Sequence, residues 1–147
     1  MDKDDKFHVP VRYGFFIERT IKKIKQKLQR KFNGLNAGIT VDQWVILDSL
    51  NKEAGLSQYE IAEKTYKDAP TVTRIIDLLC KKELVERVMG ENDRRRFNIF
   101  LTDKGEEKVA EMLPHVIEMQ ALGWGALKDE DYKQLMRILD TIFNNLD

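Results

Sequence analysis

The chain of 147 residues is 42% hydrophobic and 34% charged, and its formal net charge is zero. This length and composition suit one helix-rich domain that buries about 70% of its unfolded surface. Its single cysteine, Cys80, excludes an internal disulfide, and the two histidines show no ligand spacing that would indicate a zinc site. No apolar run approaches the roughly 18 residues of a membrane span, and the charged N-terminus lacks the apolar core of a signal peptide, so we expect a cytoplasmic protein with no membrane partner.

The neutral total conceals an uneven distribution of charge. Residues 12–31 carry eight basic side chains and one acidic side chain, whereas residues 64–96 carry nine and six. Residues 102–147 reverse the sign, with five basic and ten acidic side chains. Because electrostatic attraction is screened within about 10 Å at ordinary salt, the local distribution matters more than the total for a polyanionic partner.

Residues 11–32 are predicted to form the first helix, after a loose lead-in over residues 1–10. Apolar residues recur there at spacings of three and four, and basic residues occupy the opposite face. That basic face is either a solvated surface or a cationic field that assists the approach of DNA. The following NGLNAG segment ends the helix, with Gly34 and Gly38 able to take positive φ. The apolar positions are Tyr13, Ile17, Ile21, Ile24 and Leu28.

Two capping boxes predict the starts of the next two helices. Thr40 is followed three residues later by Gln43, and Ser57 is followed by Glu60. The first of these helices is dense in apolar residues, which indicates a core helix with Trp44 as a packing anchor. The second is short, and the free N–H groups at its N-terminus suit a phosphate. Ser57 and Gln58 are therefore candidate phosphate contacts, and Ser57 can cap the helix in either case.

Residues 69–82 have the two faces of a DNA-recognition helix. Asp68 is a suitable N-cap, and Pro70 falls in the first turn, where its missing N–H costs little. Arg74 on the outward face is long enough for bidentate contact with guanine, and the threonines beside it can hydrogen-bond or pack on a thymine methyl. The alternative is an ordinary amphipathic surface helix. The apolar face comprises Val72, Ile75, Ile76 and Leu79, the outward positions are Pro70, Arg74, Asp77 and Lys81, and Thr71 and Thr73 lie at the edges between the two faces.

A hairpin with a basic tip follows this helix. Residues 83–89 and 97–101 alternate as paired strands do, and residues 90–96 form a polar turn that contains Asp93. Three consecutive arginines at the tip suit either a phosphate backbone or an A·T-rich minor groove. In this order the segments predict a helix-turn-helix with a wing. The tip arginines are Arg94, Arg95 and Arg96.

Two further helices complete the chain. Thr102 begins a long helix in which Pro114 should cause a kink, and a last helix spans about residues 129–146 with a clear apolar stripe. The reading unit has its own core, so the stripes of the terminal helices need another partner. A second copy of the chain is the simplest partner. The predicted fold is mainly α with a small β-wing, in which a winged helix-turn-helix is flanked by N- and C-terminal dimerisation helices.

Three segments carry a family resemblance through their order and spacing. They are ITVDQWVILDSL (39–50), APTVTRIIDLLCKKELVER (69–87) and ENDRRRFNIFLTDKGEE (91–107), and the last contains Asp-x-Arg at Asp93 and Arg95, followed by LT-x-x-G. Together they resemble the MarR family of winged-helix regulators over nearly the whole chain. The resemblance implies a single MarR-type domain over 1–147, with a winged helix-turn-helix core at about 40–101.

The resemblance also implies partners and roles. Members are homodimers that bind pseudo-palindromic operators, usually as repressors, and that are often released by small phenolic ligands or oxidants. Residues 11–32 and 103–146 would form the dimer interface. By position, the residues that would lie in the major groove are Pro70, Thr71, Thr73 and Arg74. Arg95 would enter the minor groove, and Asp93 would hold this arginine or the wing backbone in place. Arg94 and Arg96 would contact phosphates. Tyr13, Phe16, Trp44 and His8 are compatible with an effector pocket, although core packing explains the three aromatic residues equally well.

The chain departs from the family pattern at two points. The family often has glycine where Glu83 stands, so the turn between recognition helix and wing is expected to differ. The oxidant-sensing branch has a cysteine near the first helix, and this chain has none there, which favours a structural role for Cys80.

Two other function classes are weaker. A winged helix used for protein interaction, without an operator, would have a non-basic wing and a hydrophobic outer face on its recognition helix, and Arg74 and the tip arginines contradict both features. An enzyme would need a phosphate-binding glycine loop, a nucleophile elbow or a cluster of metal ligands, and none of these motifs occurs in the sequence. The sequence therefore predicts no catalysis and no cofactor.

Overall fold

The computed structural model describes residues 12–147, which form six helices and a three-stranded sheet. The mainly α fold with a small wing is confirmed, and the predicted lead-in and the start of the first helix at Val11 lie outside the described residues. None of the described helices is long and apolar enough to cross a bilayer. The elements are α1 (Tyr13–Gly34), α2 (Val41–Lys52), β1 (Leu56–Ser57), α3 (Gln58–Thr65), α4 (Ala69–Lys81), β2 (Val85–Met89), β3 (Phe97–Leu101), α5 (Asp103–Trp124) and α6 (Asp129–Asn145).

The sheet has the strand order β1-β3-β2, and both pairings are antiparallel. The predicted hairpin forms, with Val85 opposite Leu101 at its base and Met89 opposite Phe97 near its tip. The sequence analysis missed β1, in which Leu56 pairs with Ile99. Two residues are too few for the alternation that marks a strand, so only the neighbouring strand reveals this one.

One core joins the reading unit to parts of the long helices. Trp44 is 4% exposed and meets Phe32 edge-on, with ring centroids 6.4 Å apart, which confirms its predicted packing role. Phe32 belongs to the last turns of α1, and the first half of α5 contributes Val109 and Met112 to the same cluster. The last turns of α1 and the first half of α5, which we call the bases of these helices, therefore pack into the core of the winged helix-turn-helix.

The remaining parts of the long helices keep their apolar residues at the surface. The first half of α1 has no buried residue, and neither has any part of α6. An amphipathic helix stabilises a fold through the face that it buries, so these faces are unpartnered in a single chain. The exposed apolar residues of these regions include Tyr13, Phe15, Phe16, Ile17, Ile21, Ile24, Leu122, Tyr132, Leu135, Ile138, Phe143 and Leu146.

The turn after α1 differs from the prediction. Gly34 is still helical, and the positive φ angles fall at Asn36 (52°) and Gly38 (71°), so the expectation for Gly34 is wrong. The helix ends two residues beyond its predicted end, and Leu35 and Ala37 donate to the carbonyls of Lys31 and Phe32. Asparagine tolerates the left-handed region better than most residues, so Asn36 can make the turn.

The helix-to-wing joint keeps its backbone geometry without glycine. Glu83 takes a φ of 61°, in the left-handed region. Its N–H donates to the Cys80 carbonyl at 2.9 Å, and that of Leu84 donates to the Leu79 carbonyl at 3.0 Å. These are the backbone hydrogen bonds of a helix end that glycine usually makes. The expected departure of this turn is therefore wrong, because Glu83 itself adopts the strained conformation.

Glu83→Gly is expected to raise the free energy of unfolding by about 1 kcal/mol, because glycine removes the steric cost of the left-handed backbone. Urea unfolding followed by circular dichroism measures the change. The matched control is Glu86→Gly in strand β2, which should destabilise the protein, since glycine weakens a strand interior. A Glu83→Gly variant no more stable than the wild type would contradict strain at this joint.

Candidate nucleic-acid interface

The recognition helix α4 has the two faces that the sequence predicts. The Asp68 carboxylate accepts a hydrogen bond from the Thr71 N–H at 2.8 Å, and this bond holds the pKa of Asp68 below its usual value. Pro70 lies in the first turn. The four predicted apolar residues are buried, whereas Arg74 and Lys81 are exposed. The helix is thus fixed to the core by one side and presents a polar side to solvent.

The N-terminus of α3 is closed by the predicted capping box. The Ser57 hydroxyl accepts from the Glu60 N–H at 3.2 Å, and the Glu60 carboxylate accepts from the Ser57 N–H at 3.3 Å. The hydrogen bonds from Ser57, assisted by Arg96, lower the pKa of Glu60. Ser57 is only 5% exposed, so its hydroxyl mainly caps the helix. The Thr40 capping box is confirmed as well.

The wing tip is held by its own backbone and by α3. The Asp93 carboxylate accepts from the Arg95 N–H at 2.9 Å, which is the backbone-holding role that the resemblance implies for Asp93. The Arg96 guanidinium forms an ion pair with Glu60 and so ties the tip to the capping box. Arg94 and Arg95 are exposed and make no ion pair with any residue between 12 and 147. These two arginines are the tip charges available to a partner.

A groove of about 430 Å³ separates the wing from the N-terminus of α3. The groove brings together five predicted site residues from segments almost 40 positions apart in the sequence. It adjoins the recognition helix, because the Gln58 amide donates to the Thr73 hydroxyl at 3.1 Å. The sequence analysis missed Tyr59 and Phe97, which no motif marks. The lining residues are Ser57, Gln58, Tyr59, Asp93, Arg95, Arg96 and Phe97.

The residues considered for an effector pocket do not converge. Trp44 is buried in the core, whereas Tyr13 is 44% exposed and Phe16 is 45% exposed, so core packing does not explain the latter two. His8 lies outside the described residues. Between residues 12 and 147, no three metal-ligating side chains come together.

Comparisons with known proteins match this arrangement. The model of the MarR family matches residues 39–97, which span the helix-turn-helix and most of the wing. The HTH-type transcriptional repressor MdtR of Bacillus subtilis is 31% identical over 124 residues, which are 83% of this chain and 80% of MdtR. The chain belongs to the MarR family. The family identified from the sequence is thereby confirmed.

Other proteins similar to this MarR-family chain include a second repressor and a DNA complex. The transcriptional repressor MprA of Escherichia coli is 37% identical over 75 residues, which are 51% of this chain and 43% of MprA. The chain therefore spans less than half the length of MprA. The structure of S. aureus MepR in complex with DNA is 27% identical, covers 90% of this chain and 97% of MepR, and superposes with a TM-score of 0.81.

Proposed function

We propose that the chain is a homodimeric transcriptional regulator that binds a pseudo-palindromic DNA operator as a repressor. The observation that carries the proposal is the groove between the wing tip and the N-terminus of α3, which the hydrogen bond from Gln58 to Thr73 links to the outward side of α4. The similarity to the repressors MdtR and MprA, and to MepR in its complex with DNA, supports it.

In this proposal, α4 lies in the major groove and the wing reaches the minor groove. The N-terminal residues of a recognition helix are the ones that contact base edges. In α4 these residues are Pro70, Thr71, Thr73 and Arg74. Arg95 enters the minor groove while Asp93 fixes the backbone beside it. Arg94 and the free N–H groups of Arg96 meet phosphates, as do Ser57 and Gln58 at the N-terminus of α3.

The proposal divides the single domain by role. The winged helix-turn-helix occupies about residues 40–101, and residues 11–32 and 103–146 contribute the dimer interface. Support comes from the exposed apolar faces of α1 and α6, which a second copy would cover. The bases of α1 and α5 have a further role, because they also complete the core of the reading unit.

The remaining parts of the proposal follow from the family and the role. A small phenolic or other aromatic compound binds the protein and releases it from the operator, as the resemblance to the MarR family implies. The protein acts in the cytoplasm, where operator DNA is accessible. It performs no catalytic step, because binding and release of DNA suffice for repression.

Selection of bound duplexes from a random DNA library tests the proposed function. The expected result is a two-fold motif whose half-sites lie about one helical turn, or roughly 34 Å, apart. Its affinity should fall steeply with salt, because released counterions supply much of the binding free energy. A winged-helix module for protein interaction would instead select no motif and give a flat titration against any duplex.

Arg74→Ala is expected to weaken the selected operator by about 10- to 100-fold, because a bidentate arginine–guanine contact contributes roughly 1–3 kcal/mol of discrimination. Fluorescence anisotropy at fixed salt measures operator and scrambled duplex in parallel. The matched control is Lys81→Ala, which removes one exposed positive charge from the other end of the same helix. Equal losses on both duplexes for Arg74→Ala would exclude base reading by this residue.

A further inference from the structure

Each of the three guanidinium nitrogens of Arg87 contacts a side chain of α3 or α4. Arg87 stands in the middle of β2, opposite Ile99 of β3, and its side chain is 28% exposed. Nε donates to Gln58 Oε1 at 3.0 Å, Nη2 donates to Asp77 Oδ1 at 2.5 Å, and Nη1 donates to Cys80 Sγ at 3.7 Å. A single side chain of the wing thus contacts α3 once and α4 twice.

The contacts continue to the outward side of the recognition helix. Gln58 uses its oxygen to accept from Arg87 and its nitrogen to donate to Thr73 Oγ1 at 3.1 Å. The Thr73 hydroxyl in turn donates to the Ala69 carbonyl at 3.1 Å. We call these connected side chains the Arg87 network, which comprises Arg87, Gln58, Thr73, Asp77 and Cys80.

Most of the network lies on the side of α4 that faces away from the core, and only Cys80 packs against the core. The core holds α4 by its buried face, whereas Thr73 and Asp77 are on the exposed side, one helical turn apart. A guanidinium is planar and presents its N–H groups in a fixed fork, so its partners are held in defined directions. Its charge is also paired with Asp77, which distinguishes Arg87 from the unpaired arginines of the wing tip.

We propose that Arg87 is a positioning residue for operator recognition, which fixes the angle between the recognition helix and the wing without contacting DNA. The inference rests on the proposed function and assigns a new role within it. Gln58 then serves mainly to relay this constraint to Thr73, in addition to any phosphate that it meets. Base-specific contacts require both reading elements to be placed at once, whereas non-specific phosphate contacts tolerate small rotations.

The test compares Arg87→Met with Arg94→Met, which removes the same charge from the exposed wing tip. Arg87→Met is expected to weaken the operator roughly tenfold and scrambled duplex less than about twofold, with an unchanged salt slope. Arg94→Met should weaken both duplexes alike and reduce the salt slope by about one. In an Asp77→Ala background, Arg87→Met should cost less, because its ion pair with the recognition helix is already lost.

Circular dichroism at the assay temperature verifies that each variant is folded. If Arg87→Met is unfolded, Arg87→Lys replaces it, and the expected result is a smaller loss of the operator-to-scrambled ratio, since lysine keeps one contact of the fork. Equal losses on both duplexes with a flatter salt slope would make Arg87 a phosphate contact, and an unchanged ratio in a folded variant would remove its positioning role. A wild-type chain that prefers no duplex would instead contradict the proposed function, and the inference would fall with it.

Discussion

Replacing Gly105 by alanine is expected to lower the free energy of unfolding by about 3 kcal/mol. A Cβ on Gly105 would lie 2.0 Å from the Leu84 carbonyl oxygen and 3.0 Å from its carbon. Both atoms are backbone, so a side-chain rotation cannot relieve the clash. The start of α5 would have to move away from the turn that connects the recognition helix to β2.

The displacement would break a compact joint between three elements. Thr102 donates its N–H to the Leu84 carbonyl at 3.1 Å and its hydroxyl to the Glu83 carbonyl at 2.6 Å. The same hydroxyl accepts from the Gly105 N–H at 3.0 Å and caps α5. The LT-x-x-G pattern that marks the family in the sequence is thus the junction of the recognition helix, β3 and α5.

Urea unfolding of Gly105→Ala, followed by circular dichroism, measures this loss. The matched control is Gly34→Ala at the end of α1, where a new Cβ meets no atom within 4 Å and the φ is not positive. That control should leave stability unchanged or raise it by up to about 1 kcal/mol, because alanine is the better helix former. A Gly105→Ala loss below about 1 kcal/mol would show that the joint opens freely.

Leu135→Glu is expected to abolish the dimer at micromolar concentrations and to weaken the operator at least 100-fold. Leu135 is 40% exposed in the single chain and lies in the apolar stripe of α6. A carboxylate placed in a dry interface costs several kcal/mol, and a monomer can read only one half-site. Analytical ultracentrifugation measures the first effect, and fluorescence anisotropy with the selected operator measures the second.

The control for this prediction is the adjacent residue. Gln134→Glu adds the same negative charge to α6 and keeps an acceptor for Arg137, which donates to Gln134 at 3.1 Å. It should leave both the dimer and operator binding nearly intact, since a surface charge contributes little. Equal behaviour of the two variants would mean that general repulsion, and not burial of the stripe, opposes association.

Local signals in the sequence predicted most of the fold. The caps at Thr40, Ser57 and Asp68 each depend on residues within one helical turn, and all three form as expected. The buried face of α4 follows from helical periodicity alone. Failures arose where the competing conformations are close in energy: glycine was favoured for the turn after α1, yet Asn36 supplies one of its two positive φ angles.

The candidate site was less accessible from the sequence. Which arginines face a partner depends on ion pairs between distant segments. Arg96 forms an ion pair with Glu60, which is 36 positions away in the sequence. Arg87 donates a hydrogen bond to Gln58, which is 29 positions away. No periodicity or spacing encodes such pairs, because they exist only once the hairpin has packed beside α3. The predicted DNA contacts of the recognition helix and wing remain predictions for the experiments above.

The length of α5 means that a small rotation of this helix produces a large displacement at its other end. Its 22 residues run from Asp103, beside the joint at Gly105, to Trp124, and at 1.5 Å per residue they span about 33 Å. A tilt of about 5° at its far end would displace the reading unit by roughly 3 Å over this length. That displacement is close to the rise of roughly 3.4 Å per base pair, so in the proposed dimer a small change at the far ends of the two α5 helices would move the reading units out of their common register with DNA.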